Sequence, residues 1–227
     1  MHTTRIAELL EPFLDERASG MLSPSQLNHI SIYIDLLLRW NSRINLTSVR
    51  QPEDIVTRHF GESLFVARHL FPAPGHVGTS VPTGPAGPSP AQFPADLIDV
   101  GSGAGFPGLP IKVWAPHLHL TLIESNQKKA TFLREVVRSL TLTSVDVFAG
   151  RAADFPAKGS VVTLRAVERF DSALATAASL VADRGRLAIL VGEAQINRIR
   201  ELVQDVKWAE PLALPLSSNR VLILGSK

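Results

Sequence analysis

The apolar positions of this chain change period along its length. In the first 70 residues they recur at helical spacing, beginning with Ile6, Leu9, Leu10 and Phe13. Ser23, Pro24 and Gln26 then combine a capping box with a proline at the first helical position. Leu27, Ile30, Tyr33, Ile34, Leu37 and Leu38 follow as an apolar stripe. A third helical pattern, over about residues 53–70, carries Ile55, Val56, Phe60, Leu64, Phe65 and Val66. The pattern stops between Phe71 and Pro94, where seven prolines and four glycines occur with almost no charge. Proline lacks an amide donor and restricts its neighbour, so the segment reads as a mobile surface loop. Its length favours disorder or a lid.

Beyond Pro94 the period alternates between strand and helix. Strands are predicted over Asp96–Val100, His119–Glu124, Ser144–Phe148, Val161–Arg165, Arg186–Val191 and Arg220–Leu224, with another near Val206–Leu212. Helices are predicted over Gly108–Trp114, Gln127–Ser139, Glu168–Ala182 and Glu193–Gln204. The chain thus divides into a helical region (1–70), a Pro/Gly-rich loop (71–94) and an α/β domain (95–227). Such alternation predicts an open, mostly parallel sheet covered by helices. Ligands of these sheets gather beyond the C-terminal strand ends, which are occupied here by Gly101, Glu124 and Arg165.

Composition narrows the classes. The 227 residues can bury one good core plus a modest extension. No apolar run approaches the roughly 20 residues of a membrane span, and the N-terminus MHTTRIAELLEPF lacks the h-region and cleavage site of an export signal. The absence of cysteine excludes disulfides, thiolate metal sites and a cysteine nucleophile, and it fits the cytoplasm. No feature demands a metal. A net charge of +2 is too small to indicate nucleic acid by itself, although a localised basic patch is compatible with it.

The chemistry concentrates in ADLIDVGSGAGFPGLP, Ala95–Pro110, where a strand runs into a glycine-rich turn. The spacing GxGxG departs from the dinucleotide fingerprint GxGxxG, since Phe106 stands where the last glycine belongs, and no P-loop pattern is present. Close backbone approach to a ligand without a pyrophosphate fits better. Glu124, 23 residues after Gly101, either accepts from the two hydroxyls of a ribose or is a solvated strand-end carboxylate. Asp99 either orients the turn through its amides or meets the cationic end of the ligand.

The stretches WNSRINLTSV (Trp40–Val49), RHFGES (Arg58–Ser63), DVGSGAGFPGLP (Asp99–Pro110), ESNQKKATFL (Glu124–Leu133), GRAAD (Gly150–Asp154) and RAVE (Arg165–Glu168) carry a specific resemblance. Together the chain resembles the bacterial small-subunit rRNA guanine-N7 methyltransferase family, also called glucose-inhibited division protein B. The resemblance implies a Rossmann-like class I S-adenosylmethionine-dependent methyltransferase with a small N-terminal helical region. The implied reaction moves a methyl group from S-adenosylmethionine to N7 of a guanine in the 530 loop of 16S rRNA. It further implies that the loop of Gly101, Ser102, Gly103, Gly105 and Phe106 holds the methionyl part and that Glu124 takes the ribose. Arg151 and Ala152 would lie near the adenine, and Arg165 would face the entering guanine. The implied partner is 16S rRNA, a small subunit or an assembly intermediate, met by a monomer without membrane contact.

Guanine N7 already carries a lone pair, so the reaction needs alignment rather than a general base. Arg165 donates to guanine O6 or a phosphate, or forms a strand-end ion pair with Glu168. Arg58 and His59 either contact RNA at the catalytic mouth or link helices. Asn45 and Thr47 either tie down their turn or enter the pocket. Lys128, Lys129, Arg134 and Arg138 form either a phosphate patch or a solvated helix face. One departure from the family pattern is Val191, which precedes Gly192 where a lysine is usual, with Arg220 a candidate to replace it. Competing readings are methylation of another RNA, a protein or a small molecule, a noncatalytic RNA-binding descendant, and an NAD-dependent oxidoreductase.

Overall fold

The computed structural model describes residues 1–14, 22–72, 95–165 and 169–227. Helix α1 (Thr3–Leu10) buries Ile6 and Leu10. Helix α2 (Pro24–Asn41) starts at the predicted box: Ser23 Oγ accepts from the Gln26 amide at 3.3 Å, and Gln26 Oε1 accepts from the Ser23 amide at 2.8 Å. The pattern over residues 53–70 is helical but not continuous. Helix α3 (Pro52–Ile55) leads into a six-residue π-turn, Val56–Gly61, and then α4 (Glu62–Leu70). A Cβ on Gly61 would stand 2.6 Å from the Phe13 ring, so this turn packs directly under the end of the first helical segment.

Five parallel strands follow: β1 (Asp96–Val100), β2 (His119–Ile123), β3 (Val145–Phe148), β4 (Gly159–Arg165) and β5 (Val181–Gly192). Two short pieces, β6 (Lys207–Trp208) and β7 (Leu212–Ala213), pair antiparallel with β8 (Arg220–Ser226), which itself lies antiparallel to β5. The sheet order is β3-β2-β1-β4-β5-β8-β6, with β7 also on β8. Strand order reverses between β1 and β4, and the crevice at such a switch point is where open sheets bind ligands.

Alternation along β1 sends Leu97 into one core and Ile98 into the other. Helices α5 (Gly108–Trp114) and α6 (Gln127–Ser139) cover the first face, while α7 (Phe170–Ser179) and α8 (Ile196–Leu202) cover the second. The N-terminal helices form a further layer on the first face and share its core, where Tyr33, Phe60, Leu109, Phe132 and Leu133 are buried together. Gln26 Nε2 caps the end of α5 through the Val113 carbonyl at 2.9 Å.

Several boundaries differ from expectation for local reasons. The helix expected over Glu168–Ala182 ends at Ser179 because Val181 pairs with Gly159 and opens β5. Arg184, at φ +61°, and Gly185 then shift the register. Residues 193–195 form a 3-10 turn ahead of α8. The strand near Val206–Leu212 is divided into β6 and β7 on either side of Pro211, which has no amide to give a ladder. Residues 73–94 of the Pro/Gly-rich segment, and Glu168 as a partner for Arg165, lie outside the described residues.

Candidate active site

The turn after β1 is built from backbone geometry. Gly101, Gly103 and Gly105 hold φ of +68°, +56° and +88°, a region costly for other residues. The Ser102 amide donates to the Ile123 carbonyl at 3.0 Å, tying the turn to the end of β2. Glu124 then grips it: Oε2 accepts from the Gly103 amide at 2.9 Å and Oε1 from the Asn126 amide at 2.7 Å. A carboxylate has about four acceptor positions, so each oxygen keeps a lone pair beyond these contacts. Asp99 lies beneath, fully enclosed, accepting from Thr163 Oγ1 at 2.7 Å and the Gly108 amide at 3.3 Å. Burial raises its carboxyl to about 6 against the pull of those donors.

A second constellation faces the turn across a cleft of about 1110 Å³, ample for a nucleoside-sized ligand. The π-turn carries Arg58 and His59, and the first turn of α4 carries Glu62, 3% exposed. Arg165, at the end of β4, donates through Nη2 to the Arg58 carbonyl at 2.6 Å and to Glu62 Oε2 at 3.1 Å. Its Nη1 is enclosed with no acceptor among the described residues. Glu62 Oε1 meets Arg220 Nη1 at 2.6 Å, so one carboxylate bridges two guanidiniums. Burial raises the Glu62 carboxyl, while the Arg165 and Arg220 charges oppose that shift.

His59 Nδ1 lies 3.2 Å from Arg165 Nη2, and Nε2 lies 2.8 Å from Thr47 Oγ1. Burial, reinforced by the Arg165 and Arg58 charges, pushes the imidazole down to about 3 and keeps it neutral near pH 7. Its ring stacks on Phe106 at 4.8 Å, and Phe106 stacks in turn on Tyr33 at 5.3 Å. Among the described residues, six cationic side chains (Arg58, Lys129, Arg151, Arg165, Arg169 and Arg220) line the cleft against two acids, Glu62 and Glu124. A polyanion is the ligand such a mouth attracts.

The family model described as GidB, rRNA small subunit methyltransferase G, matches residues 26–77 and 88–218. The chain belongs to this family. Ribosomal RNA small subunit methyltransferase G of Chloroflexus aggregans is 34% identical over 219 residues, spanning 91% of this chain and 84% of that protein. The protein of the same name from Nitrosomonas europaea is 37% identical over 178 residues, spanning 76% and 73%. Among solved structures, P. horikoshii TYW2 in complex with MeSAdo superposes with a TM-score of 0.50 at 18% identity, covering 59% of this chain and 57% of that one. That likeness shows a shared Rossmann-like α/β fold.

Within this family member, the sequence-derived candidates fall into two groups. Arg58, His59, Gly101, Ser102, Gly103, Phe106, Glu124, Arg151, Ala152 and Arg165 all line the one cleft. Asp99 and Gly105 do not. Asp99 supports the turn from below, and the Gly105 Cα faces the Tyr33 hydroxyl, Leu109 and Leu133, so this glycine serves packing. Lys129 reaches the cleft, whereas Arg134 and Arg138 line a separate groove beside β3. Asn45 is exposed, and Asn41 secures the segment instead, through the Leu46 and Thr47 amides and the Thr47 carbonyl. Arg220 sits opposite Gly192 in the β5–β8 register and shares the cleft with Val191.

Sequence reasoning missed Glu62, Asn41, Tyr33 and Arg169. The signal for Glu62 was an acid within the apolar run FGESLFVA, a place where a charge needs a partner. Tyr33 reads as a core aromatic, yet its hydroxyl donates to the Ala104 carbonyl inside the glycine turn.

Proposed function

We propose that this protein transfers a methyl group from S-adenosylmethionine to N7 of a guanine in the 530 loop of 16S rRNA. The observation that carries the reading is the single cleft joining a glycine turn gripped by Glu124 to the Arg165–Glu62–Arg220 bridge. Membership of the rRNA small subunit methyltransferase G family supports the acceptor class. The residues present fit the cofactor. A Cβ on Gly103 would meet only the Gly101 carbonyl, at 3.8 Å, so the turn leaves open space for close approach. The remaining acceptor positions of Glu124 suit a ribose diol, with Arg151 and Ala152 on the adenine side.

When bound, S-adenosylmethionine supplies an electrophilic methyl on its sulfonium. The protein supplies alignment and exclusion of water. N7 is nucleophilic as it stands, so no side chain has to remove a proton. The neutral His59 suits this: it packs beside Arg165 with Nε2 hydrogen-bonded to the Thr47 hydroxyl. Arg165 and Arg220, held by Glu62, present a firm cationic floor to the RNA, with Arg58 and Arg169 at the rim. We read residues 95–227 as the cofactor domain and the helices of 1–70 as the substrate-side wall.

The partner is read as 16S rRNA in a small subunit or assembly intermediate, met by a monomer in the cytoplasm. No described helix is long and apolar enough to cross a membrane. Incubation with methyl-labelled cofactor and unmodified small-subunit rRNA or subunits, followed by mapping of the modified base, tests the proposal. Label on guanine N7 in the 530 loop is expected. Cofactor binding without label on either substrate would sink the acceptor assignment.

A further inference from the structure

Ala104 sits in the glycine turn with a carbonyl that its own segment does not satisfy. A turn that runs into a helix gives such an oxygen an amide three or four residues further on. Here residue 107 is a proline and carries no amide, and the Gly108 amide goes to Asp99 Oδ2 at 3.3 Å. Among the described residues no backbone amide donates to the Ala104 oxygen. The Tyr33 hydroxyl does so instead, from α2, 71 residues upstream.

The direction of this bond is set by the groups themselves. A carbonyl only accepts, so the hydrogen lies on Tyr33 Oη. Burial, with the Asp99 charge adding to it, raises the phenol well above its ordinary range and keeps that hydrogen in place near neutral pH. Tyr33 is 0% exposed and Ala104 is buried as well, so bulk water does not compete for the oxygen. The ring is held too: it lies parallel to Phe106 at 5.3 Å and edge-on to Phe60 at 5.2 Å.

The other tethers of the turn come from the α/β domain. The Ile123 carbonyl holds the Ser102 amide, Glu124 holds the Gly103 amide, and the Ser102 carbonyl holds the Gly105 amide at 2.6 Å. Residues 101–104 line the cleft, whereas Gly105 packs against Leu109 and Leu133. The Ala104–Gly105 peptide is therefore the joint between the ligand-facing and packed halves of the turn. Tyr33 pins its oxygen and Ser102 pins its hydrogen. We infer that Tyr33 is a positioning residue for the methyl donor: its hydroxyl fixes this joint, so the N-terminal helical layer completes the cofactor side of the cleft. The inference rests on the S-adenosylmethionine reading above. Tyr33 does not line the cleft itself and acts through the turn.

S-adenosylhomocysteine, the demethylated product, serves as a stable probe, with affinity measured by calorimetry and stability by thermal unfolding. Tyr33→Phe removes the hydroxyl and keeps the ring. Because the chain has a single tyrosine, 3-fluorotyrosine supplied during expression replaces Tyr33 alone and keeps the donor. Ile6→Val is the control, a fully buried position on α1 whose lost methyl group weakens the same helical layer. Tyr33→Phe is expected to bind the probe about 5–20-fold more weakly, the worth of one buried acceptor left without its donor. The fluorotyrosine chain should keep the wild-type affinity. Ile6→Val should melt earlier with its affinity unchanged.

Wild-type affinity in Tyr33→Phe overturns the inference. So does an equal loss in the fluorotyrosine chain, which would assign the effect to ring packing, or in Ile6→Val, which would assign it to general loosening of the helices. A Tyr33→Phe chain that fails to fold gives the hydroxyl to the core as a whole and overturns it too. A wild type that does not bind S-adenosylhomocysteine overturns the cofactor reading, and the inference falls with it.

Discussion

Glu62→Gln isolates the ionic bridge under the acceptor side of the cleft. The change keeps the side-chain volume, removes the charge and turns one oxygen into a donor facing an arginine. Glu62 meets Arg165 at 3.1 Å and Arg220 at 2.6 Å, with its own side chain 3% exposed. The arginines differ in their freedom to respond. Arg220 is 29% exposed and can turn to water, whereas Arg165 is 10% exposed and its Nη1 has no partner among the described residues. The loss therefore concentrates on Arg165. Removing one member of a buried pair costs about 3–5 kcal/mol. At about 2–4 °C per kcal/mol for a chain of this size, the melting temperature should fall by about 6–20 °C. Urea unfolding at pH 7.5 measures the cost directly, and the double variant with Arg165→Gln should recover about 2 kcal/mol of it. Cofactor affinity should hold, since Glu124 and the glycine turn stand apart from the bridge. A loss below about 1 kcal/mol, or single effects that add within about 0.5 kcal/mol, would refute the reasoning.

Five further outcomes follow from the same geometry. Asp99→Asn tests linkage: burial lifts this carboxyl to about 6 from an ordinary value of 3.8. The native state thus favours the protonated acid, so the stabilising contribution is full below about pH 4 and fades as pH rises through about 6. The stability of the Asn variant relative to wild type should therefore rise by something on the order of 3 kcal/mol from pH 4 to pH 8; a flat difference would contradict the burial argument. Gly105→Ala should destabilise by about 2–4 kcal/mol, since its φ is +88° and the new Cβ meets Leu109 and the Tyr33 hydroxyl. Gly103→Ala, with open space at its Cβ, should cost only about 1 kcal/mol and act chiefly on cofactor affinity measured by calorimetry. Glu124→Gln should weaken cofactor binding by about 10–100-fold, the worth of a charged hydrogen bond, and unchanged binding would remove it from the ribose site. Arg220→Ala should lower RNA affinity and reduce its salt dependence by about one ion; unaltered affinity and transfer would show that it does not replace the lysine missing at Val191.

The donor side of the cleft was legible because it is local in the chain. Glycines at positive φ, a strand before them and an acid at the next strand end lie within 30 residues, and each leaves a mark in composition or period. Even there, sequence left Asp99 open between the turn and the ligand and gave Gly105 to the ligand loop; the structure places Asp99 under the turn, at the Gly108 amide, and packs Gly105 against Tyr33 and Leu109. Adjacent turn residues point in different directions, and only the position of Tyr33, 72 residues upstream of Gly105, shows which one faces the core. The π-turn illustrates the same limit. Residues 53–70 keep a helical apolar pattern throughout, yet one widened turn at Val56–Gly61 lets Arg58 and His59 reach the cleft while Phe60 remains in the core.

The acceptor side is assembled from segments that share no local pattern. Asn41 and Thr47 come from the end of α2 and its following loop, His59 and Glu62 from the π-turn and α4, Arg165 from β4 and Arg220 from β8. Each alone reads as a cap, a surface base or a strand-end charge. Together they answer a question that a net charge of +2 leaves open. Among the described residues six cationic side chains meet at this one cleft, and the two acids beside them are already committed to Gly103, Asn126, Arg165 and Arg220. A substitution on this side therefore acts through neighbours distant in sequence, so its effects should be non-additive among Glu62, Arg165 and Arg220. Substitutions in the glycine turn should combine additively with them. That division between coupled and independent sites follows from the hydrogen-bond network itself, and it separates the binding of the methyl donor from the gripping of the RNA.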